Sequence, residues 1–211
     1  MFERAAPKLG ARGTPVANCS PDDPTKYLTT PAYTGWKNTT RDRTARFNAA
    51  TKPAGIANAV ADLQASFNAW SVTGAPNAPD FTVTTAGAQV SKPTANRHTD
   101  LMFGRTSGNS IAVTYTWRWS DTGEYESDTI FNRGLAWAEI PTSGAGADGC
   151  NETVVKYDFQ NIATHEFGHT YGLDHPAGDR FATMYAYGYT GETLKRSPAT
   201  SDLNGIKALY P

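Results

Sequence analysis

Charge is scarce in this chain. Asp, Glu, Lys and Arg make up 18% of its 211 residues and nearly cancel, leaving a formal net charge of −1, so no polybasic footprint points to nucleic acid or to anionic lipid. Long apolar runs are missing too. None approaches the roughly 18 residues that cross a bilayer, and the basic residues near the start are not followed by the apolar stretch of a signal peptide. Nucleic acid and membrane are therefore set aside as partners. Only two cysteines occur. Cys19 and Cys150 lie in loop sequence rich in Pro, Gly and Asn, where a disulfide between them would mean an oxidising compartment; two reduced thiols that never meet is the other reading. Lysine is sparse as well, 8 against 28 threonines, a balance that favours strands and polar turns over long surface helices. These traits lean towards a secreted protein, with any signal peptide lying outside this sequence.

What is present fits one compact domain in size. Residues 1–24 carry Pro, Gly, Asp and Asn without periodicity and read as an extended arm or processing segment; residues 25–211 read as a single domain. From Pro53 to Trp70, Ile56, Val60, Leu63, Phe67 and Trp70 are spaced by four and three, the stripe of an amphipathic helix. Short β-rich runs follow at Phe81–Thr85, Leu101–Phe103, Ile111–Trp119 and Ser127–Asn132. In the third of these, Ile111, Val113, Tyr115, Trp117 and Trp119 alternate with Ala112, Thr114, Thr116 and Arg118, predicting a strand that buries its large apolar face. Next, TVVKYDFQNIATHEFGHTYG reads as a strand running into a second helix, with Asp158 as N-cap and Gly172 as terminator. Leu203, Ile206 and Leu209 mark a short last helix.

Three of the four histidines, His165, His169 and His175, fall within H-E-F-G-H-T-Y-G-L-D-H. A spacing of four on a helix puts His165 and His169 on one face, one turn apart, so both can reach one metal. Gly172 can take the left-handed conformation that turns the chain back and brings His175 in as a third imidazole. Three neutral nitrogens leave a tetrahedral zinc with one position open for water. Glu166, beside His165, can take a proton from that zinc-bound water during attack, which is the chemistry of a hydrolase. H-E-x-x-H arises by chance about once in 400 sequences of this composition, and with the added Gly and third His about four times in a million. A solvated surface helix or a closed structural zinc site is the bland alternative, and neither has a use for Glu166. His98 reads as an ordinary loop residue.

HEFGHTYGLDH resembles the zinc signature of the metzincin peptidases, and its flanks resemble the matrixin branch in its secreted bacterial form. Ala182-Thr183-Met184-Tyr185 is similar to that family's Met-turn, with Met184 an apolar floor under the zinc histidines. SDLNGIKALY resembles the C-terminal helix, with Asp202 anchoring the Met-turn. Asp128–Asn132 followed by Trp137 looks like the family's last strand, and Ile111–Tyr115 like the antiparallel edge strand lining the substrate cleft. The resemblance implies an α/β fold of the α+β kind: a twisted mixed sheet with an antiparallel edge strand, two long helices and a C-terminal helix. It further implies a metalloendopeptidase, a monomer acting on extended polypeptides, with Ile111, Ala112, Val113, Thr114, Tyr185 and Tyr187 at the substrate cleft.

The sequence also departs from the vertebrate pattern. Val113 and Ile130 stand where histidines would hold a second, structural zinc, and the Gly104–Asn109 loop is too short for the usual calcium-bearing insertion. One catalytic zinc is the expectation, with calcium not indicated. Asn18–Asp22 resembles the latency motif around a cysteine, without its Arg and Gly. The rival reading is an inactive or latent zinc-binding protein on a metzincin scaffold; a hydrolase of non-peptide substrates is a third.

Overall fold

The computed structural model describes residues 2–5, 8–9, 27–29, 36, 42–87, 90–141 and 154–211. Cys19 and Cys150 lie outside the described residues, as do the expected disulfide and the latency-like segment. In chain order the elements are β1 (Phe2–Ala5), β2 (Lys8–Leu9), β3 (Leu28–Thr29), β4 (Asp42–Phe47), α1 (Ala59–Asn68), β5 (Asp80–Thr84), β6 (Thr99–Gly104), β7 (Ala112–Arg118) and β8 (Tyr125–Asn132). There follow β9 (Trp137–Ala138), β10 (Tyr157–Asp158), α2 (Phe159–Thr170), β11 (Leu173–Asp174), β12 (Tyr187–Gly188) and α3 (Thr200–Leu209).

The main sheet has the order β1-β7-β8-β6-β4-β5. Strands β5, β4, β6 and β8 run parallel; β7 is antiparallel to β8, and β1 is antiparallel to β7. The mixed sheet with an antiparallel strand towards its edge is thus borne out, as are three helices including a C-terminal one, α1 and α3 having ten residues each and α2 twelve. β6, central and buried at every residue, shows how the sheet divides the interior. Leu101 and Phe103 point into the main core with Phe47, Phe131 and the helices, while Met102 points the other way into a small cluster with Val113 and Ile130. Val113 and Ile130 are register partners. The two positions associated with a second zinc therefore form an apolar cross-strand pair that offers no metal ligand.

Two local readings change. The first helix begins at Ala59 rather than Pro53. A Cβ on Gly55 would lie 2.7 Å from the Trp137 carbonyl oxygen, so the chain at that point is pressed against a neighbouring segment, and Glu139 accepts the N–H of Asn58 just before the helix starts. Ile56 is still buried, but Val60 is 39% exposed. On β7 both faces are buried at the start, Val113 as expected but Ala112 and Thr114 as well, and further along Thr116 is buried while Tyr115 and Trp117 are only half-buried. The reason is α2, which packs against β7 closely enough that small side chains line that face and Thr114 reaches a helix side chain.

Helix α1 braces α2. Phe67 stacks on Phe167 with ring centroids 3.7 Å apart and planes 8° from parallel, and the Trp70 indole N–H donates to the Thr164 carbonyl at 2.9 Å. An aromatic pair of this kind contributes about 1 kcal/mol beyond its buried area. At the far end of α2 the Trp36 indole N–H donates to the Thr170 carbonyl at 2.9 Å, satisfying a terminal oxygen that the helix itself leaves open.

Candidate active site

Helix α2 starts where the sequence indicates. Asp158 accepts the N–H of Asn161 at 2.8 Å as N-cap, and its other carboxylate oxygen accepts the Ile140 N–H at 2.9 Å. Arg196 donates to both oxygens. Every residue of α2 except Gln160 is buried, including Asn161, Thr164, His165, Glu166, His169 and Thr170. Buried polar side chains are the informative exception in a protein interior, and six of them lie on this one helix.

Gly172, at φ +99°, ends the helix in the left-handed region, with its N–H on the His169 carbonyl at 3.0 Å. The chain reverses through β11, held to β3, and delivers His175. The result is convergence: His175 Nε2 lies 3.1 Å from His165 Nε2 and 3.0 Å from His169 Nε2. The opposite ring nitrogens are committed, His165 Nδ1–H donating to the Thr183 carbonyl at 2.6 Å and His169 Nδ1–H to the Leu173 carbonyl at 2.8 Å. That fixes the tautomer and turns the Nε2 lone pairs inward, the usual way a metal-binding histidine is oriented. Burial, with help from the charge of Lys195 and the other two histidines, holds the His165 pKa well below the ordinary imidazole range. Three nitrogens around a tetrahedral zinc sit about 3.3 Å apart, so this donor set fits zinc. Among the described residues these three histidines form the cluster able to hold a metal ion.

Glu166 is wholly buried beside the triad. The Thr114 hydroxyl donates to its Oε2 at 2.7 Å, while Oε1 is buried with no hydrogen-bond partner. Burial pushes the carboxyl up to about 8, with the Thr114 hydrogen bond and the Lys195 charge acting in the opposite sense.

Met184 is buried in the main core, against the helix that carries His165 and His169. Gly168 makes room for it: a Cβ there would lie 2.2 Å from the Met184 sulfur and 2.8 Å from Trp70 Cζ2. Asp202, from α3, accepts the N–H groups of Thr183 at 2.7 Å, Met184 at 3.2 Å and Ala199 at 3.0 Å. Lys195 is also fully buried; its ammonium donates to the Tyr187 carbonyl at 2.9 Å and to the Tyr185 carbonyl. Burial pulls its pKa down, against the charges of Glu192, Asp202 and Glu166.

The remaining sequence-derived positions separate into two groups. Ile111, Ala112, Val113 and Thr114 are buried at the start of β7, and of these Thr114 touches Glu166. Tyr185 is half-buried and Tyr187 is 38% exposed, their rings 5.5 Å apart. His98 is exposed on a bend. Sequence reasoning missed the roles of Gly168 and Lys195. The glycine inside the signature was a signal for the first; nothing local marks Lys195 as buried.

A helix carrying histidines that converge with a third beyond a glycine turn, and a buried methionine packed against that helix beside a mixed sheet, define a metzincin-type catalytic domain. The family model described as Matrixin matches residues 26–211, and the chain belongs to the matrixin family, a family of zinc metalloendopeptidases. Among curated relatives, it is 32% identical over 117 residues to the neutrophil collagenase of Homo sapiens, a match covering 52% of this chain and 25% of that protein.

Proposed function

We propose that the chain is a secreted zinc endopeptidase, residues 25–211 forming its catalytic domain, that hydrolyses extended polypeptides. The observation that carries this reading is Glu166 Oε1, a buried and unpartnered oxygen one residue from a histidine triad that fits zinc. Zinc bound by His165, His169 and His175 supplies a Lewis acid that acidifies water and polarises a carbonyl. Glu166 accepts the proton of the attacking water on Oε1 and passes it to the leaving amine as the C–N bond breaks. Thr114 holds Oε2, so the free oxygen keeps one direction throughout. The substrate lies antiparallel to β7 near residues 111–115, completing the sheet through its main chain. Tyr185 and Tyr187 border the far side, held from beneath by Lys195.

The test compares the wild type with Glu166→Gln on casein and on a fluorogenic peptide. We expect the variant to keep one zinc per chain while cleavage falls by at least about a thousandfold, within the range of general acid–base catalysis. Chelation should abolish wild-type cleavage and lower the thermal midpoint, with zinc restoring both. A folded, zinc-replete wild type that cuts neither substrate overturns the peptidase reading, and full turnover by Glu166→Gln overturns the role of Glu166.

A further inference from the structure

The proposed reaction has no step for the Lys195 side chain, yet it is wholly buried. Withdrawing an ammonium from water is expensive, and an apolar side chain of similar volume often serves stability as well or better. What its donors hold explains the lysine better than stability does. They hold a stretch of main chain. Nζ donates to the carbonyls of Tyr185 and Tyr187, two residues apart, and lies 5.8 Å from the centre of the Tyr185 ring. One nitrogen fixes the backbone between the two tyrosines and with it the direction of their rings, which stand 5.5 Å apart with planes 53° from parallel.

The backbone of the same lysine is anchored elsewhere. Its main-chain N–H donates to Asn161 Oδ1 at 2.7 Å, and Asn161 Nδ2 donates to Glu192 Oε2 at 3.3 Å. Glu192, itself buried, also accepts the Tyr189 N–H at 3.3 Å. Asn161 belongs to α2, one turn ahead of His165. The segment from Tyr185 to Lys195 is therefore tied to the histidine-bearing helix through the lysine backbone and closed on itself through the lysine side chain. Other contacts aim the imidazoles. The Thr183 and Leu173 carbonyls hold His165 and His169, and Asp202 holds the N–H groups of Thr183 and Met184. None of these uses the Lys195 ammonium.

We propose that Lys195 is a positioning residue for substrate specificity: its ammonium presets the Tyr185–Gly188 segment against which an incoming polypeptide lies, and so sets which side chains the cleft accepts. The proposal deepens the peptidase reading and rests on it for the identity of the cleft. A wall already in place spares the substrate the cost of ordering it, so the benefit appears in binding. An interaction felt equally by bound substrate and transition state changes KM and leaves kcat alone.

The test compares the wild type with Lys195→Met, which keeps the stem but loses every donor, and with Lys195→Gln, which keeps two donors on a shorter, neutral stem. Amide exchange, zinc content, and cleavage of a fluorogenic peptide and of a peptide library are measured on each. In Lys195→Met, exchange at residues 186–188 should accelerate at least about tenfold. The apparent KM should rise about tenfold, with kcat within about threefold of the wild type. Preference among side chains flanking the scissile bond should flatten by about threefold or more. Zinc content should not change. Lys195→Gln should fall between the other two proteins; should Lys195→Met not fold, the same shifts are read from Lys195→Gln. A Lys195→Gln protein worse than Lys195→Met would mean that the lysine only fills space, and a loss confined to kcat would mean that it acts through its charge on Glu166. Either result overturns the proposal, as do equal exchange and an equal cleavage profile in variant and wild type. If exchange rises as expected but no protein of the series, wild type included, cuts any peptide, the clamp stands while the peptidase reading falls and takes the specificity role with it.

Discussion

The Thr114 hydroxyl donates to Glu166 Oε2 at 2.7 Å, and the other oxygen of that carboxylate is left buried without a partner. A strand residue thus decides which oxygen of a helix residue is available. Thr114 also contacts the Thr129 hydroxyl at 3.0 Å on the neighbouring strand, so its own position is fixed from β8.

Thr114→Val removes this donor while preserving shape. A hydrogen bond to a charged group is worth roughly 1.5–3 kcal/mol, so we expect kcat to fall by about tenfold to a hundredfold, with zinc content unchanged and KM little altered. Thr114→Ser should recover most of the loss. An unaltered kcat in Thr114→Val would show that Glu166 holds its orientation without the hydroxyl.

Gly168→Ala tests the floor of the site. Its Cβ would meet the Met184 sulfur at 2.2 Å and Trp70 at 2.8 Å, so both neighbours must shift. Overpacking of this kind costs about 1–3 kcal/mol, to be read from urea unfolding of the zinc-loaded protein. Zinc affinity should weaken in parallel, because Gly168 directly precedes His169 on α2 and any shift there moves that imidazole. Wild-type stability and affinity together would mean that the floor yields freely.

Asp62 provides a pH test away from the metal. Burial, followed by the nearby charges of Glu139 and Asp158, raises its pKa to about 6 against the attraction of Arg196, and its Oδ2 has no hydrogen-bond partner. Unfolded, the carboxyl gives up its proton near pH 4. Between those values the native state binds more protons, so this group's contribution to stability falls as pH rises from about 4 to 6. Asp62→Asn should therefore stabilise the protein more at pH 7.5 than at pH 4.5. We expect a difference of about 1 kcal/mol once solvent screening of this half-exposed group is allowed for. Denaturant unfolding of both proteins at each pH measures it; equal differences at the two pH values would rule out the shift.

The histidine-bearing helix was legible because its signals are local. Asp158, the histidine spacing and Gly172 each act within a turn of the backbone they control. On β7 the burial of Val113 was legible but that of Ala112, Thr114 and Thr116 was not, because the helix that covers Thr114 is distant in sequence and its approach leaves no mark on alternation. The start of α1 was misplaced for a similar reason, a carbonyl from Trp137 crowding Gly55. β1 and β2, at four and two residues, are too short to show a period and pair through their main chains. Lys195 reads as a surface lysine until Tyr185 and Tyr187 are folded above it.

Asp158 stands two helical turns ahead of His165, and its carboxylate receives Asn161, Ile140 and Arg196 together. The bearing that aims the signature helix therefore sits on the far side of it from the reactive nitrogens. Sequence drift in the loops around the opening can reshape what enters without re-aiming the imidazoles, whereas damage at this remote hinge-pin would misdirect them while leaving every one of them intact.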